Sequence, residues 1–325
     1  MLDGVPSLPI LFFKKEFRIQ NAKPLKRNEK IKIMEEAICT ENLTKFYGKS
    51  RGIENVTITV HPGEIFGFLG PNGAGKTTTI RLFLDLIHPT QGRAEIFGLD
   101  TQKDSLKIRS RIGYIPGDLS LYDTMSGKGF LQFVSSLRTK EPVMIDALCE
   151  RFQVTVDRKI KEYSKGMKQK VGIVQAFMHD PELVIMDEPT LGLDPLMQRE
   201  FYTFLKEEQK KGRTFFISSH ILSEVERVCD RVGIIKEGNL VAVEDVETLK
   251  EKSGRLMEVT FLNDITEEDF DVPQISIVSV ENRTVRFKVT GTMDDVIKHL
   301  SHFEIKDLVS RGVSVEDIFM HYYGD

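Results

Sequence analysis

The sequence predicts an α/β protein organised around a parallel sheet, with a small α+β unit behind it. Three observations carry that reading. Short apolar segments such as "ELVIMDE" and "RTFFISSH" alternate with helical segments such as "FYTFLKEEQKK", the order that gives a parallel sheet with crossover helices. A glycine-rich loop, "GPNGAGKT", joins the strand-like "GEIFGFLG" to the helical "KTTTIRLFLDLI". After about Val246 the pattern changes to clustered strands with a single intervening helix.

In chain order, "AICTENLTKFY" and "IENVTITV" alternate as antiparallel strands around a Gly-containing turn. "GEIFGFLG" is a short apolar strand. The helix after the glycine loop places Ile80, Phe83, Leu84 and Ile87 on one face. "RAEIFG" and "RIGYI" are further strands. Residues 118–165 change character: "GFLQFVSSL" and "MIDALCERF" are amphipathic helices with no strand between them, a helical insertion. "VGIVQAFM" is another helix. "RVGIIKEGNLVAV" is a hairpin turning at Gly238. A helical linker, "VETLKEKSG", leads to "LMEVTFL", "ISIVSV" and "TVRFKVTG" as strands, "TMDDVIKHL" as a helix, "EIKDLV" as a strand and "SVEDIFMHYY" as a closing helix. The resulting organisation is a first domain over 37–245 and an accessory module over 255–325.

The 325 residues are enough for two domains, and 40% hydrophobic with 29% charged residues allows a sizeable core. A net charge of −4 gives no global signal for nucleic acid, and no nucleic-acid partner is expected. Cys39, Cys149 and Cys229 are widely spaced and odd in number, which argues against a disulfide framework or a zinc site and fits a reducing cytosol. Apolar runs such as "IRLFLDLI" fall far short of the ~20 residues of a membrane span. Residues 1–33 carry eight Lys/Arg against three Asp/Glu. The basic residues follow the apolar "SLPILFF" instead of preceding it, and no small-residue cleavage site closes it, which argues against a signal peptide. Three readings fit the segment: a disordered basic arm touching anionic lipid, an extension without function, or a true translation start at Met34.

The loop carries the chemistry. Gly70, Pro71, Asn72, Gly73, Ala74, Gly75, Lys76 and Thr77 satisfy G-x-x-x-x-G-K-[ST] between a strand and a helix. Glycines let successive backbone N–H groups point inward around phosphate oxygens, and Thr78 continues the helix N-terminus, whose dipole favours anions. Lys76 supplies positive charge to the β- and γ-phosphates, and the Thr77 hydroxyl can ligate Mg²⁺. The strand "LVIMDE" ends in two acids: Asp187 is placed to hold Mg²⁺, and Glu188 can orient or deprotonate an attacking water. ATP and Mg²⁺ are the expected ligands. "YSKGMKQK", Tyr163 to Lys170, carries three lysines and no acid. Its Ser164 is a good N-cap, and Gly166 lets backbone approach closely, so it reads as a basic turn or as an anion site.

The ordered set "FYG", phosphate loop, "YSKGMKQK", "MDEPT", "GLDP" and "ISSH" resembles the ATP-binding cassette (ABC) family over about residues 37–245. The resemblance implies a P-loop NTPase fold: a mixed sheet core, an antiparallel β subdomain and a helical subdomain at about 118–165. By the same resemblance, Tyr47 stacks on adenine, Ser164 and Gly166 meet the γ-phosphate held by a second subunit, "GLDP" carries a subunit-contact aspartate, and His220 touches the γ-phosphate beside Glu188. The implied protein is a cytoplasmic ATPase subunit that dimerises on ATP at the inner face of the cell membrane and drives a separate permease. "YSKGM" and the C-terminal module are similar to those of drug- and antibiotic-type exporters. Two other readings belong to the same family. One is a soluble ATPase of translation or DNA repair, whose members usually carry paired cassettes or a long coiled coil. The other is an importer ATPase. Two places depart from the family: the signature has Lys165 and Met167 where the commonest version has glycine and glutamine, and where glutamine usually follows "IGYIP" this chain has Gly117 and then Asp118. Gly117 has no side chain to ligate with, which leaves Asp118 or a water for the contact.

Overall fold

The computed structural model describes residues 36–138, 141–253, 255–270 and 272–312. The basic segment 1–33 and the helix expected over "SVEDIFMHYY" lie outside them. The chain opens with β1 (Ile38–Tyr47), β2 (Ser50–Val56) and β3 (Thr59–Val60). β1 pairs antiparallel with β2 around Gly48, as the alternation predicts. "IENVTITV" is not the single strand expected. Asn55 takes φ +51°, in the left-handed region that asparagine tolerates, and the chain re-pairs two residues at the other end of β1, Ile38 with Val60 and Cys39 with Thr59.

β4 (Ile65–Leu69) runs through the glycine loop into α1 (Lys76–Phe83). This helix ends one turn earlier than the apolar spacing to Ile87 predicts. Asp85 adopts φ +53° and turns the chain away toward β5 (Gln91–Ile96) and β6 (Leu99–Asp100). A short α2 (Ser105–Arg111), not evident from the sequence, precedes β7 (Ile112–Ile115). The expected helical segment contains α3 (Gly127–Ser136) and α4 (Ile145–Arg151), and α5 (Lys165–Phe177) follows. Next come β8 (Leu183–Asp187), α6 (Pro195–Lys210), β9 (Thr214–Ser219), an unanticipated α7 (Leu222–Val228), and the hairpin β10 (Arg231–Lys236) with β11 (Asn239–Asp245).

Among the described residues one large sheet runs β6-β5-β1-β2-β11-β10-β4-β9-β8-β7, with β3 beside β1. β10, β4, β9, β8 and β7 are successive parallel neighbours. The outer strands around β1 are antiparallel. Period-two alternation sends side chains of the central strands to opposite faces, and both faces are covered. Ile65, Leu69, Val184, Met186, Phe215 and Ile217 join a core with α5 and α6. Phe66, Phe68, Leu183, Ile185 and Phe216 join a second core with α1 and the antiparallel strands. This burial on both faces holds the C-terminal ends of β4 and β8, where the phosphate loop and the two acids emerge.

After α8 (Val246–Ser253), β12 (Arg255–Phe261), β13 (Ile275–Glu281), β14 (Thr284–Val289), α9 (Met293–Leu300) and β15 (Ile305–Gly312) form an antiparallel sheet of order β13-β14-β12-β15 with its own core. Met257, Val259, Phe261, Val285, Phe287 and Val289 line one face and pack with Phe270, Val296 and Leu300. No helix among the described residues is long and apolar enough to cross a membrane.

The centre of the second core is aromatic. The Phe216 ring lies 5.8 Å from Phe66, 5.4 Å from Phe68 and 5.2 Å edge-on to Phe83. Truncating this fully buried ring removes its contacts with both β4 and α1. Phe216→Ala should cost about 3–5 kcal/mol in chemical denaturation, whereas Leu106→Ala, at an exposed position on α2, should leave the midpoint unchanged.

Candidate active site

The glycine loop, the acidic strand end and the end of β9 meet at one cleft of about 750 Å³. Its lining includes Tyr47, Asn72, Gly73, Gly75, Lys76, Thr77, Thr78, Asp187, Glu188 and His220. Gly75 closes the loop with φ +112° and caps α1. A β-carbon there would lie 2.8 Å from the Gly52 carbonyl and 2.6 Å from Ile53 Cγ2, so any larger residue would push the loop off β2.

Lys76 is only 6% exposed, and its Nζ donates to the Gly70 carbonyl at 2.7 Å and the Pro71 carbonyl at 3.1 Å. It also lies 3.3 Å from Glu188 Oε1. The ammonium is thus held at the mouth of the loop by two dipoles and a carboxylate. The other Glu188 oxygen, Oε2, is 2.6 Å from His220 Nδ1. Glu188 follows the last residue of β8 and takes φ +51°, a left-handed conformation uncommon for glutamate. Its N–H donates to the Ser218 carbonyl at 3.2 Å. The turn thereby delivers the carboxylate between Lys76 and His220 instead of continuing the strand.

Asp187 is 2% exposed. Its Oδ2 accepts from the Thr77 hydroxyl at 2.7 Å, and its Oδ1 accepts from the Ser218 hydroxyl. Gly117 packs over this carboxylate: a β-carbon at Gly117 would stand 3.2 Å from Asp187 Oδ2. Asp118 lines the same cleft. Tyr114 does too, and burial together with the Asp187 charge pushes its phenol up to about 12, so it remains a neutral hydroxyl near pH 7. At the other end Tyr47 is 47% exposed, with Lys45 Nζ 5.4 Å from its ring centroid.

Ser164 and Gly166 are not part of this cleft. Ser164 caps α5, its hydroxyl accepting from Met167 N–H at 3.2 Å, and it is exposed. Gly166 packs on the "GLDP" loop, where a β-carbon would meet the Gly192 carbonyl at 2.6 Å. Asp194 in that loop caps α6 through Leu196 and Met197 N–H groups. Within one chain these residues therefore form a separate surface. Sequence reasoning missed Arg51, Arg81, Tyr114 and Leu191 in the cleft, and Ser218 behind it. Arg81 stands four residues after Thr77 on α1, so helical spacing could have found it. Ser218 lies in "ISSH", two residues before His220.

A phosphate-cradling loop at the C-terminal end of β4, with an acid pair at the same end of β8, one strand further across the parallel sheet, defines a P-loop nucleoside triphosphatase. Residues 53–191 match the ABC transporter family. The bacitracin transport ATP-binding protein BcrA of Bacillus licheniformis is 39% identical over 251 residues, covering 74% of this chain and 81% of that protein. The chain belongs to the ABC transporter family and is an ABC ATPase, the ATP-binding subunit type. The linearmycin resistance ATP-binding protein LnrL of Bacillus subtilis is 30% identical over 87% of this chain and 97% of its own length. Among solved structures, an ATP-binding subunit of an ABC transporter superposes with TM-score 0.62 at 31% identity, covering 66% of this chain and 92% of that one. A dimeric bacterial ABC transporter cassette shares the fold with TM-score 0.60 at 22% identity, over 64% of this chain and 98% of the cassette.

Lys76 can be tested directly. Its ammonium is the buried cation at the loop, and losing charge-assisted hydrogen bonds to phosphate should weaken nucleotide binding by about 1.5–3 kcal/mol. Calorimetry with ATP on Lys76→Ala should register that loss; unchanged affinity would remove Lys76 from the phosphate site.

Proposed function

We propose that this chain powers an exporter, hydrolysing ATP to drive a separate membrane permease that holds it at the inner face of the cell membrane. The observation that carries the hydrolytic part is the unbroken chain Lys76–Glu188–His220, at 3.3 and 2.6 Å, along the end of the phosphate loop. In this reading Tyr47 stacks on the adenine, and the loop from Gly70 to Thr78 surrounds the phosphates. Glu188 orients and deprotonates the attacking water, and His220 holds Glu188 and meets the γ-phosphate.

Thr77 and Asp187 would hold Mg²⁺. A hydroxyl and a carboxylate oxygen already in contact are the hard donors this cation takes, and Gly117 keeps the space over Asp187 Oδ2 free of a side chain. Bound there, the ion neutralises charge on the phosphates. Asp118, or a water on it, supplies the contact that family members make with glutamine. Export as the direction is supported by relatives named for bacitracin transport and linearmycin resistance. The cargo itself touches the permease.

Two experiments separate the parts of this reading. Glu188→Gln keeps the shape of the side chain and one acceptor oxygen but loses its negative charge and basicity. Turnover should fall about 10²–10⁴-fold with ATP binding preserved, and near-normal turnover would take Glu188 out of the reaction. The second concerns assembly. Ser164 and Gly166 sit away from their own chain's cleft, which supports a head-to-tail pair in which each meets the partner's γ-phosphate. Ser164→Arg should leave ATP binding by the monomer intact and abolish ATP-driven dimerisation in size-exclusion chromatography. Dimerisation equal to wild type would reduce "YSKGMKQK" to a basic helix start.

A further inference from the structure

We propose that Glu224 is a positioning residue for hydrolysis: its carboxylate clamps the loop that carries Glu188 to the loop that carries His220. The proposal rests on Glu188 and His220 being the hydrolytic pair. Glu224 lies on α7, half-buried. Its Oε1 accepts from the Thr190 hydroxyl at 2.5 Å, and its Oε2 accepts from the Ser219 hydroxyl at 2.7 Å. Thr190 stands two residues beyond Glu188, and Ser219 immediately precedes His220. Both donors are buried. Ser219 also accepts from the Ile221 N–H at 2.9 Å, fixing the backbone on the far side of His220.

The need for such a tie follows from the sheet. β8 and β9 stay in register through Asp187 and Ser218, and the Glu188 N–H to Ser218 carbonyl bond closes that ladder. Beyond it the chains separate, and Glu188 is already in a left-handed conformation that its own backbone does not favour. A carboxylate accepting one hydroxyl from each loop holds them together where the backbone has stopped doing so. Its setting is tight: Pro189, Tyr202, Val225 and Cys229 close around Thr190, Ser219 and Glu224. Burial, and next the Glu224 charge, push the Tyr202 phenol upward, so it stays neutral beside the carboxylate. Arg227 Cζ lies 5.7 Å from the Tyr202 ring centroid.

The test uses the full chain and reads turnover and ATP affinity separately. Glu224→Ala frees both loops and should lower kcat about 10- to 100-fold, the penalty of a misplaced catalytic group, while KM and calorimetric affinity for ATP stay within about twofold. Glu224→Gln keeps one acceptor and gains a donor, and the Ser219 hydroxyl can then donate to the Ile221 carbonyl that lies 3.2 Å away. It should keep at least about half of wild-type turnover. A residue acting through Glu188 and His220 counts for less once Glu188 is gone, so Glu188→Gln combined with Glu224→Ala should lose clearly less than the product of the two single losses. Wild-type turnover in Glu224→Ala, an equal loss in Glu224→Gln, or a full multiplicative loss in the double variant would each overturn the proposal. If Glu188→Gln alone turns over normally, the hydrolytic reading fails first, in its own assay. Should Glu224→Ala not fold, Thr190→Val removes one tie while keeping shape, and the same split of kcat from KM is expected of it.

Discussion

The buried carboxylate of Asp187 is the constraint around which the site is arranged. A carboxyl group at 2% exposure is costly to bury unless its oxygens are hydrogen-bonded. Here one oxygen takes the Thr77 hydroxyl and the other takes the Ser218 hydroxyl. Those two donors come from α1 and β9, so satisfying one carboxyl group fixes the phosphate loop and the neighbouring strand to the end of β8. Gly117 completes the enclosure from the β7 side without adding a side chain. The geometry of Lys76, Glu188 and His220 depends on that fixed corner.

The two cores explain why the corner does not drift. Adjacent residues of β4, β8 and β9 project into different hydrophobic clusters, so each strand is gripped from both faces. Cores of this kind are close-packed and resist small displacement. The C-terminal sheet has a separate core and shares none of these residues. Its own stability is therefore not what sets the geometry of the cleft.

How much of this the sequence disclosed depends on how local the information is. The loop from Gly70 to Thr78 and the pair Asp187–Glu188 are contiguous motifs whose chemistry is written in consecutive residues, and the fold brings them to one cleft. Tyr47 and His220 came from the ordered resemblance, and both line that cleft. The helix α1 was overextended because apolar spacing continues to Ile87, whereas its end is set by one left-handed aspartate that spacing cannot reveal. Asn55 divides an apparently continuous strand for the same reason. Ser218, Tyr114 and Glu224 were missed because their importance arises from strand neighbours and a short helix folding back, not from any pattern around them. Ser164 and Gly166 lie on another surface of the same chain, so the proposed role for them requires a second molecule.

The conformation at Glu188 has an evolutionary consequence. A left-handed backbone at a non-glycine residue stores free energy, and asparagine or glycine would occupy it more comfortably. On the proposed role of Glu188 in hydrolysis, drift toward stability at this position would run against activity. A degenerate copy of this gene, freed from the need to hydrolyse ATP, has a downhill path here: it can become a sturdier protein by losing its glutamate. In such a copy a comfortable residue at this position would itself be a record of lost selection.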